Sequence, residues 1–438
     1  MNHMINKFCK DHNSRHVIIG IVGPFNSGCS TIANYLSNDF GFKKISLASI
    51  VKDRFNNMDK EFLKNNQKKF GAFINIDHKR QVLQSIGNFL RYNNGDIRPY
   101  ILSEIVNSKI KLKSNNYVIT GFRRPEEILY FKKLYQDQFY LLGVNSTYED
   151  RLSRYKKNSI KKFDKEIFDF EDLRDSNEYP IPKYGQRVQE CYYHADYYIF
   201  NTNEDKKDPK DSIGGFVKGA IHNFLNCISS KDPSAFIESN EIGMAYAYLA
   251  TINSKCLKRF VGAAIFNADE RLHVSNNELL SVGYNSPPEK GTKCDQKNGC
   301  YRDNLKTKFK CENCDNEILD RKFCLYCAQK IDSKITLPRW LDECKSIHAE
   351  ERAILSIAKK RAFIGNNLVL YTTTYPCYLC AKTILEFGIR KIIYMEPYPM
   401  ASSKELLTGN VIEVIYSGIS PKSLYKLSFG ENLEKIPK

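Results

Sequence analysis

His348, Glu350, Cys377 and Cys380 are the residue types a hydrolytic metal centre requires. Such a centre needs three protein ligands on zinc, an open fourth position for water, and a nearby carboxylate that moves protons without binding the metal. His348 offers an imidazole, and the Cys-x-x-Cys pair offers two thiolates at a spacing that a turn entering a helix can present to one ion. Pro376 suits that helix entry, and a helix N-terminus together with zinc lowers thiol pKa, so both sulfurs bind as thiolates. Glu350, two positions past the histidine, is placed to take a proton from water and return it to a leaving group. Alone, Cys-x-x-Cys is also the spacing of a redox pair or of half a structural zinc site, and His-Ala-Glu alone arises by chance. Their combination favours a catalytic metal.

The elements that must position these residues are legible around them. A helical pattern from Glu241 to Asn253 places Ile242, Ala245, Leu249 and Ile252 at helical spacing. Val261 to Phe266 and Leu279 to Tyr284 read as a hairpin joined by a polar stretch. After His348-Ala349-Glu350 come an apolar helix face (Ala353, Ile354, Ile357), a strand Leu368 to Thr372 running into the cysteine pair, another helix, and a strand Lys391 to Met395. His-x-Glu followed by Pro-Cys-x-x-Cys is the arrangement of zinc deaminases acting on cytosine or adenine, and this element order is that of the cytidine deaminase fold.

Gly283-Tyr284-Asn285, the run from His348 to Ile354, the run from Tyr371 to Lys382, and Gly388-Ile389 resemble deoxycytidylate deaminases. The resemblance implies conversion of dCMP, dCTP or both to uracil nucleotides, with zinc on His348, Cys377 and Cys380 and with Glu350 as the proton carrier. It also implies substrate contacts from Asn285, Ala349, Tyr375 and Tyr398, with Asn285 at the sugar or base and Tyr398 near the sugar. On the residues alone, Asn285 equally serves to stabilise a turn before Pro287-Pro288, and Tyr398 equally serves as core.

The chain opens with an apolar run, Val17 to Val22, then a loop holding Gly23, Ser27, Gly28, Cys29, Ser30 and Thr31, then an amphipathic stretch. Strand, glycine loop and helix is the order in which a P-loop closes backbone N–H groups around phosphates, with Ser or Thr on magnesium. The lysine such a loop carries after Gly28 is Cys29 here. Strand-like runs at Lys44 to Ala48, Tyr117 to Thr120 and Tyr140 to Val144 alternate with helical patterns, which predicts a doubly wound parallel sheet. Arg151-Leu152-Ser153-Arg154 resembles the basic lid of nucleoside monophosphate kinases, and Ala195 to Asn201 resembles their late strand. The predicted class is therefore α/β, a nucleotide-kinase-like sheet over residues 1–205, a linker and bridging helix over 206–231, and a deaminase-like α/β/α domain over 232–438. A nucleotide triphosphate and magnesium are expected at the loop, as regulator or substrate gatherer rather than as phosphoryl donor, because the lost lysine is a main contact to the transferred group. Arg80, Arg91, Arg123 and Arg124 are candidates to compensate. The two-domain arrangement resembles the cytidine-nucleotide deaminases of bacterial anti-phage defence, which implies depletion of a DNA precursor.

Residues 287–346 form a cysteine-rich insert. Cys311-x-x-Cys314 and Cys324-x-x-Cys327, nine residues apart, have the spacing of a zinc ribbon and predict a closed four-thiolate structural site. Cys344, four positions before His348, together with Cys294 and Cys300, makes a further zinc a second candidate. Lys306, Lys308, Lys310, Arg321 and Lys322 form a basic cluster suited to regulatory RNA.

Composition sets the frame. The chain has 438 residues, 42% of them hydrophobic, and a net charge of +16, so it is long enough for two or three domains and biased towards anionic ligands. No run of about eighteen apolar residues occurs and the first sixteen residues are polar, so a cytosolic protein without membrane contact is expected, with its fourteen cysteines serving metals rather than disulfides. A homo-oligomer is expected from the resemblance. Two other functions fit the same residues: a polynucleotide deaminase reading a flipped base, and a nucleotide-binding regulator or kinase with an auxiliary deaminase.

Overall fold

The computed structural model describes residues 16–56, 100–111, 115–158, 164–176, 186–204, 213–229, 238–267, 278–288, 344–360, 367–396 and 401–429, with short stretches of 83–97 and 290–315. Tyr398, Arg80, Cys314, Cys324, Cys327, Lys308, Arg321 and Lys322 lie outside the described residues. The chain divides into two compact units, Met1–His222 with Lys310–Ile335, and Asn223–Phe309 with Thr336–Lys438. The division at His222 falls inside one continuous helix, Gly215–Ser229, within the stretch read as a linker.

In the first unit, strands β1 (Ile18–Val22), β2 (Lys43–Ser46), β3 (Tyr117–Thr120), β4 (Phe139–Asn145) and β5 (Tyr197–Phe200) run parallel in the order β5-β4-β1-β3-β2. Ile18, Ile19, Ile21, Val118, Ile119, Leu141, Leu142 and Val144 are buried on both faces, the reason these strands read as unbroken apolar runs rather than alternating ones. Helices α1 (Cys29–Phe40), α2 (Leu47–Asn56), α3 (Ile101–Asn107), α4 (Pro125–Tyr135), α5 (Tyr148–Asn158), α6 (Lys165–Ser176) and α7 (Val188–Tyr192) fill the connections. The chain first builds to one side of β1 and then to the other, so the loop after β1 sits at the switch point where α/β sheets hold ligands. Residues read as the end of a strand at Leu47 and Ala48 instead open α2.

The second unit begins within helix α8 (Gly215–Ser229) and holds α9 (Ser239–Ala250), β6 (Gly262–Asn267), β7 (Glu278–Tyr284), α10 (Tyr301–Lys306), α11 (Ala349–Lys360), β8 (Leu368–Thr374), α12 (Tyr378–Phe387), β9 (Lys391–Glu396), α13 (Ala401–Leu407) and β10 (Ile412–Ile415). Its sheet runs β10-β9-β8-β6-β7, with β6 antiparallel to both β7 and β8 and the remaining pairs parallel. This mixed sheet is the predicted helix, hairpin, helix-strand-helix-strand order. Gly283 on β7 fixes how near α11 comes. A Cβ there would stand 2.1 Å from the Ala349 carbonyl oxygen and 2.5 Å from the Ala353 nitrogen, so glycine allows the helix N-terminus to rest directly on the strand. Among the described residues no helix is long and apolar enough to cross a membrane.

Candidate active site

The first turn of α11 and the first turn of α12 meet over the sheet. His348 immediately precedes α11, where its backbone N–H donates to Glu351 Oε2 at 3.2 Å, and Cys377 is the N-cap of α12, with Ala381 N donating to its carbonyl at 2.8 Å. Arg352, one turn further along, fastens α11 to the preceding strand: its Nε and Nη2 donate to the carbonyls of Tyr284 and Ser286, both at 2.9 Å, and its guanidinium lies over the Tyr284 ring. The result brings His348 Nδ1 to 3.2 Å from Cys377 Sγ and 3.3 Å from Cys380 Sγ, and all three donor atoms fall within 4.8 Å of one another.

That donor set fits zinc. Two ligands on a tetrahedral zinc, with bonds of about 2.0 Å to nitrogen and about 2.3 Å to sulfur, stand about 3.5 Å apart, close to the spacing found. One imidazole and two thiolates give three ligands and leave the fourth position to water. Glu350 is almost wholly buried, and its Oε2 lies 3.6 Å from Cys380 Sγ, beside the ligands rather than among them. Burial pushes its carboxyl up to about 7, against the opposing effect of His348 and with the Cys377 charge adding to the rise. A carboxyl poised near neutrality both accepts and returns a proton.

These groups open into one cavity. Ala349, Asn285, Thr374 and Tyr375 line it with His348, Glu350 and Cys377, and so do Lys258, Arg259 and Arg302. Thr374 Oγ1 is buried with no hydrogen-bond partner among the described residues. Residues 237–396 match the family model for the cytidine and deoxycytidylate deaminase zinc-binding region. The enzyme is a zinc-dependent hydrolytic deaminase. The chain is 24% identical over 386 residues to the deoxycytidylate deaminase of Schizosaccharomyces pombe, covering 88% of this chain and 92% of that protein. It is 29% identical over 168 residues to the deoxycytidylate deaminase of Homo sapiens, 38% of this chain and 70% of that one. A crystal structure of dCMP deaminase from the cyanophage S-TIM5 in complex with dCMP and dUMP aligns over 40% of this chain and 95% of its own at 21% identity, with a TM-score of 0.26.

Within the deaminase, Asn285 does more than face the cavity. Its Oδ1 accepts from Val261 N at 2.8 Å and Ser254 Oγ at 2.7 Å, and its Nδ2 donates to the Arg259 carbonyl at 2.8 Å, so one side chain ties the 254–261 loop to the end of β7. That leaves a single amide N–H for a ligand. The Tyr375 ring lines the cavity while its hydroxyl donates to Glu413 at 2.5 Å, away from any proton-transfer role. Ala349 is fully buried at the cavity wall. Cys300 and Cys344 line the cavity as well, and among the described residues the cluster of three metal-donor groups is His348, Cys377 and Cys380. Cys294 is half-buried, Cys311 is buried, and Lys310 pairs with exposed Asp315 at 3.2 Å.

The glycine-containing loop runs from β1 to α1 and is braced by residues of β4, α5 and the end of β5. Gly28 has φ 104°, and a Cβ there would lie 2.2 Å from Asn201 Nδ2, which donates to the Ser27 carbonyl at 2.7 Å. Gly23 is equally hemmed in, with Val144 O and Ser27 Oγ where a Cβ would go, while Ser30 is exposed and Thr31 half-buried. The Cys29 thiol lies 3.4 Å from Ser27 Oγ, and burial pushes its pKa up. Arg151 and Arg154, read as a phosphate-facing lid, are turned inward. Arg151 donates to the Phe25 carbonyl and pairs with Asp172, and Arg154 donates to the carbonyls of Asn26, Ser27 and Asn201. Arg91 is buried against Glu127 at 2.6 Å, Arg124 pairs with Glu126, and Arg123 pairs with Asp175 at 3.1 Å while contributing positive charge beside Cys29.

Sequence reasoning placed Thr374 in the pocket-lining stretch around Thr373 to Tyr375 and missed Lys258, Arg259 and Arg302. Arg302 lies more than forty positions from the other two cations, and nothing local in the sequence connects them.

Proposed function

We propose that this deaminase converts a deoxycytidine nucleotide, dCMP first among them, to the corresponding uracil nucleotide and ammonia. The observation that carries the reading is the buried Glu350 carboxyl beside the His348, Cys377 and Cys380 donor set at the floor of a cavity with cations in its wall. The deoxycytidylate deaminases of Schizosaccharomyces pombe and Homo sapiens support the choice of base and sugar.

The residues divide the work. His348, Cys377 and Cys380 would hold the zinc, whose Lewis acidity makes a water nucleophilic near neutral pH. Glu350 takes one proton from that water and passes it to ring N3 as C4 is attacked, then takes the second proton from the hydroxyl now on C4 and delivers it to the exocyclic nitrogen, which departs as ammonia while the oxygen stays on C4 as a carbonyl. Burial of Glu350 keeps it protonatable at the pH where the reaction runs. Tyr375 and Ala349 shape the wall, Asn285 holds the 254–261 loop and offers one N–H, and Thr374 offers a hydroxyl. Product analysis after incubation with dCMP, dCTP, CMP and a deoxycytidine-containing oligonucleotide tests the reading. Uracil nucleotide from free dCMP is expected, and turnover confined to the oligonucleotide would replace it with polynucleotide deamination.

The remaining features extend this reading. The loop at Gly23 to Thr31 is inferred to bind a nucleotide with magnesium without transferring its phosphoryl group, since Cys29 stands where a lysine would. The ribbon cysteines Cys311, Cys314, Cys324 and Cys327 are inferred to hold a structural zinc, and Cys294, Cys300 and Cys344 a further one, which metal analysis of the purified protein would count. Subunit association is supported by the exposed apolar row Ile242, Tyr246, Leu249 and Ile252, and light scattering would measure it. RNA binding rests on the basic cluster of the insert and is tested by salt-dependent association. A role in anti-phage defence rests on the two-domain resemblance. The Schizosaccharomyces pombe relative, which aligns over most of this chain, favours nucleotide supply as the second reading, and phage plating on expressing cells with and without Glu350 would separate them.

A further inference from the structure

The edge strand β10 carries none of the metal donors, yet it is tied to the cavity wall. β8 ends at Thr374 opposite Glu396 of β9, and the ladder runs one residue further, with Tyr375 N donating to the Glu396 carbonyl at 2.6 Å. Tyr375 is thereby fixed at its backbone immediately before Pro376 and the ligand Cys377, and it is buried in the wall that also holds His348 and Glu350. A buried tyrosine needs a partner for its hydroxyl. Here the ring meets Tyr394 of β9 edge-on, with centroids 4.8 Å apart and planes at 78°, and its hydroxyl donates to Glu413 Oε2 on β10 at 2.5 Å.

Glu413 is itself held in place. Its other oxygen, Oε1, accepts from Thr408 Oγ1 at 3.4 Å, in the turn between α13 and β10, and its strand pairs in register with β9, Ile392 lying opposite Glu413. A hydroxyl bonded to a carboxylate is held more firmly than one bonded to a neutral acceptor. A ring fixed at backbone, edge and tip has one orientation, and a cytosine whose C4 stands over the metal donors has to fit against the surface that orientation presents. Loss of the tip contact frees the ring to turn and leaves a buried hydroxyl without this acceptor. The cost falls on substrate placement more than on the proton steps, because α11 and α12 position Glu350 and the donors.

We propose that Glu413 is a positioning residue: through the Tyr375 hydroxyl it sets the ring against which the pyrimidine is placed, so that an edge strand outside the metal site governs substrate affinity. The proposal rests on the reading that the enzyme deaminates deoxycytidine nucleotides. The full-length, zinc-loaded protein is compared with Glu413→Ala, Glu413→Gln, Tyr375→Phe and the double variant of Glu413→Ala with Tyr375→Phe, measuring kcat and KM for dCMP, calorimetric Kd for dUMP, zinc content and melting temperature. In Glu413→Ala and in Tyr375→Phe, KM for dCMP and Kd for dUMP should rise by about five- to tenfold, with the larger share of the loss in KM rather than in kcat. Glu413→Gln, whose amide oxygen still accepts from the hydroxyl, should recover most of the affinity. The double variant should be no weaker than the weaker single one, since both changes remove the same bond. Additive losses, or KM and Kd unchanged in both single variants, overturn the proposal. So does a fall in melting temperature or zinc content while the folded, zinc-loaded fraction binds dUMP as the unaltered protein does. Should Glu413→Ala fail to fold, Tyr375→Phe and Glu413→Gln decide, and unaltered affinity in Tyr375→Phe overturns it. Failure of the unaltered enzyme to turn over dCMP is a different result, because it removes the nucleotide reading itself.

Discussion

Gly283 and Ala349 pack so closely that a Cβ on Gly283 would stand 2.1 Å from the Ala349 carbonyl oxygen, well inside contact distance. Everything the first catalytic helix presents depends on that approach.

Gly283→Ala should therefore push α11 off β7. The obstructing atoms are backbone, so relief requires the helix to shift, at a cost of about 1–3 kcal/mol. A lower denaturant midpoint is expected together with reduced zinc content, since His348 moves with the helix. Normal midpoint and full zinc in Gly283→Ala would show that the contact is not limiting.

Glu350→Gln should separate metal binding from chemistry. The side chain keeps its size, the ligands are untouched, and zinc content should match that of the unaltered enzyme while kcat falls by about 10²–10⁴-fold. Chelation should do the reverse, removing zinc and activity together, with activity restored by added zinc. Substantial turnover in zinc-loaded Glu350→Gln would end the assignment of Glu350 as proton carrier.

Asn285→Ala should act through the fold of the 254–261 loop as much as through the substrate. It removes the side-chain partner of the Val261 N–H and of the Arg259 carbonyl, while the Ser254 hydroxyl keeps the residue-285 backbone carbonyl at 2.7 Å, and each such loss costs about 1–3 kcal/mol when the group stays buried. Lower thermal stability accompanied by a rise in KM is expected. A pure KM effect with unchanged melting would instead mark Asn285 as a substrate contact only.

Glu241 gives a pH signature. Burial raises its carboxyl to about 7, although it accepts from Ile419 N at 2.6 Å and Glu238 N at 2.7 Å. A folded-state pKa above the unfolded one means that the native state binds the proton more tightly, so this contribution is complete below about pH 4 and is lost as pH rises to about 7, an amount on the order of 3 kcal/mol. The stability difference between the unaltered protein and Glu241→Gln should slope across that window and flatten above it. A flat difference would show that the backbone donors hold Glu241 ionised throughout.

The sequence revealed most where chemistry or periodicity acts over a few residues. His348, Glu350, Cys377 and Cys380 are recognisable because a metal dictates ligand type and a helix turn dictates their spacing. Tyr117–Thr120 is recognisable because a strand buried on both faces has no polar alternation. The cationic wall was hidden, since Lys258, Arg302 and His348 lie far apart in the sequence and share one cavity only through long-range pairing, the Asn285 bonds to the 254–261 loop and the Ser286–Ile347 bridge among it, with no local sign. Arg151 and Arg154 differ from expectation for a related reason: a basic pair advertises charge but not the direction of its guanidinium groups, and here, from α5, they donate to the Phe25 and Asn26 carbonyls of the glycine loop after β1. Asn285 belongs to both kinds, since the Gly-Tyr-Asn run announces it while the three groups it holds come from another loop.

The bridge between Ser286 and Ile347 has a consequence for descent. A segment whose ends are paired at its base can change in length at little cost in closure, because each doubling of such an excursion costs only about 0.6 kcal/mol of closure entropy. Selection can thus rewrite the insert independently of the catalytic frame, and with it the clientele the enzyme admits, while the residues that break the C–N bond stay where they are.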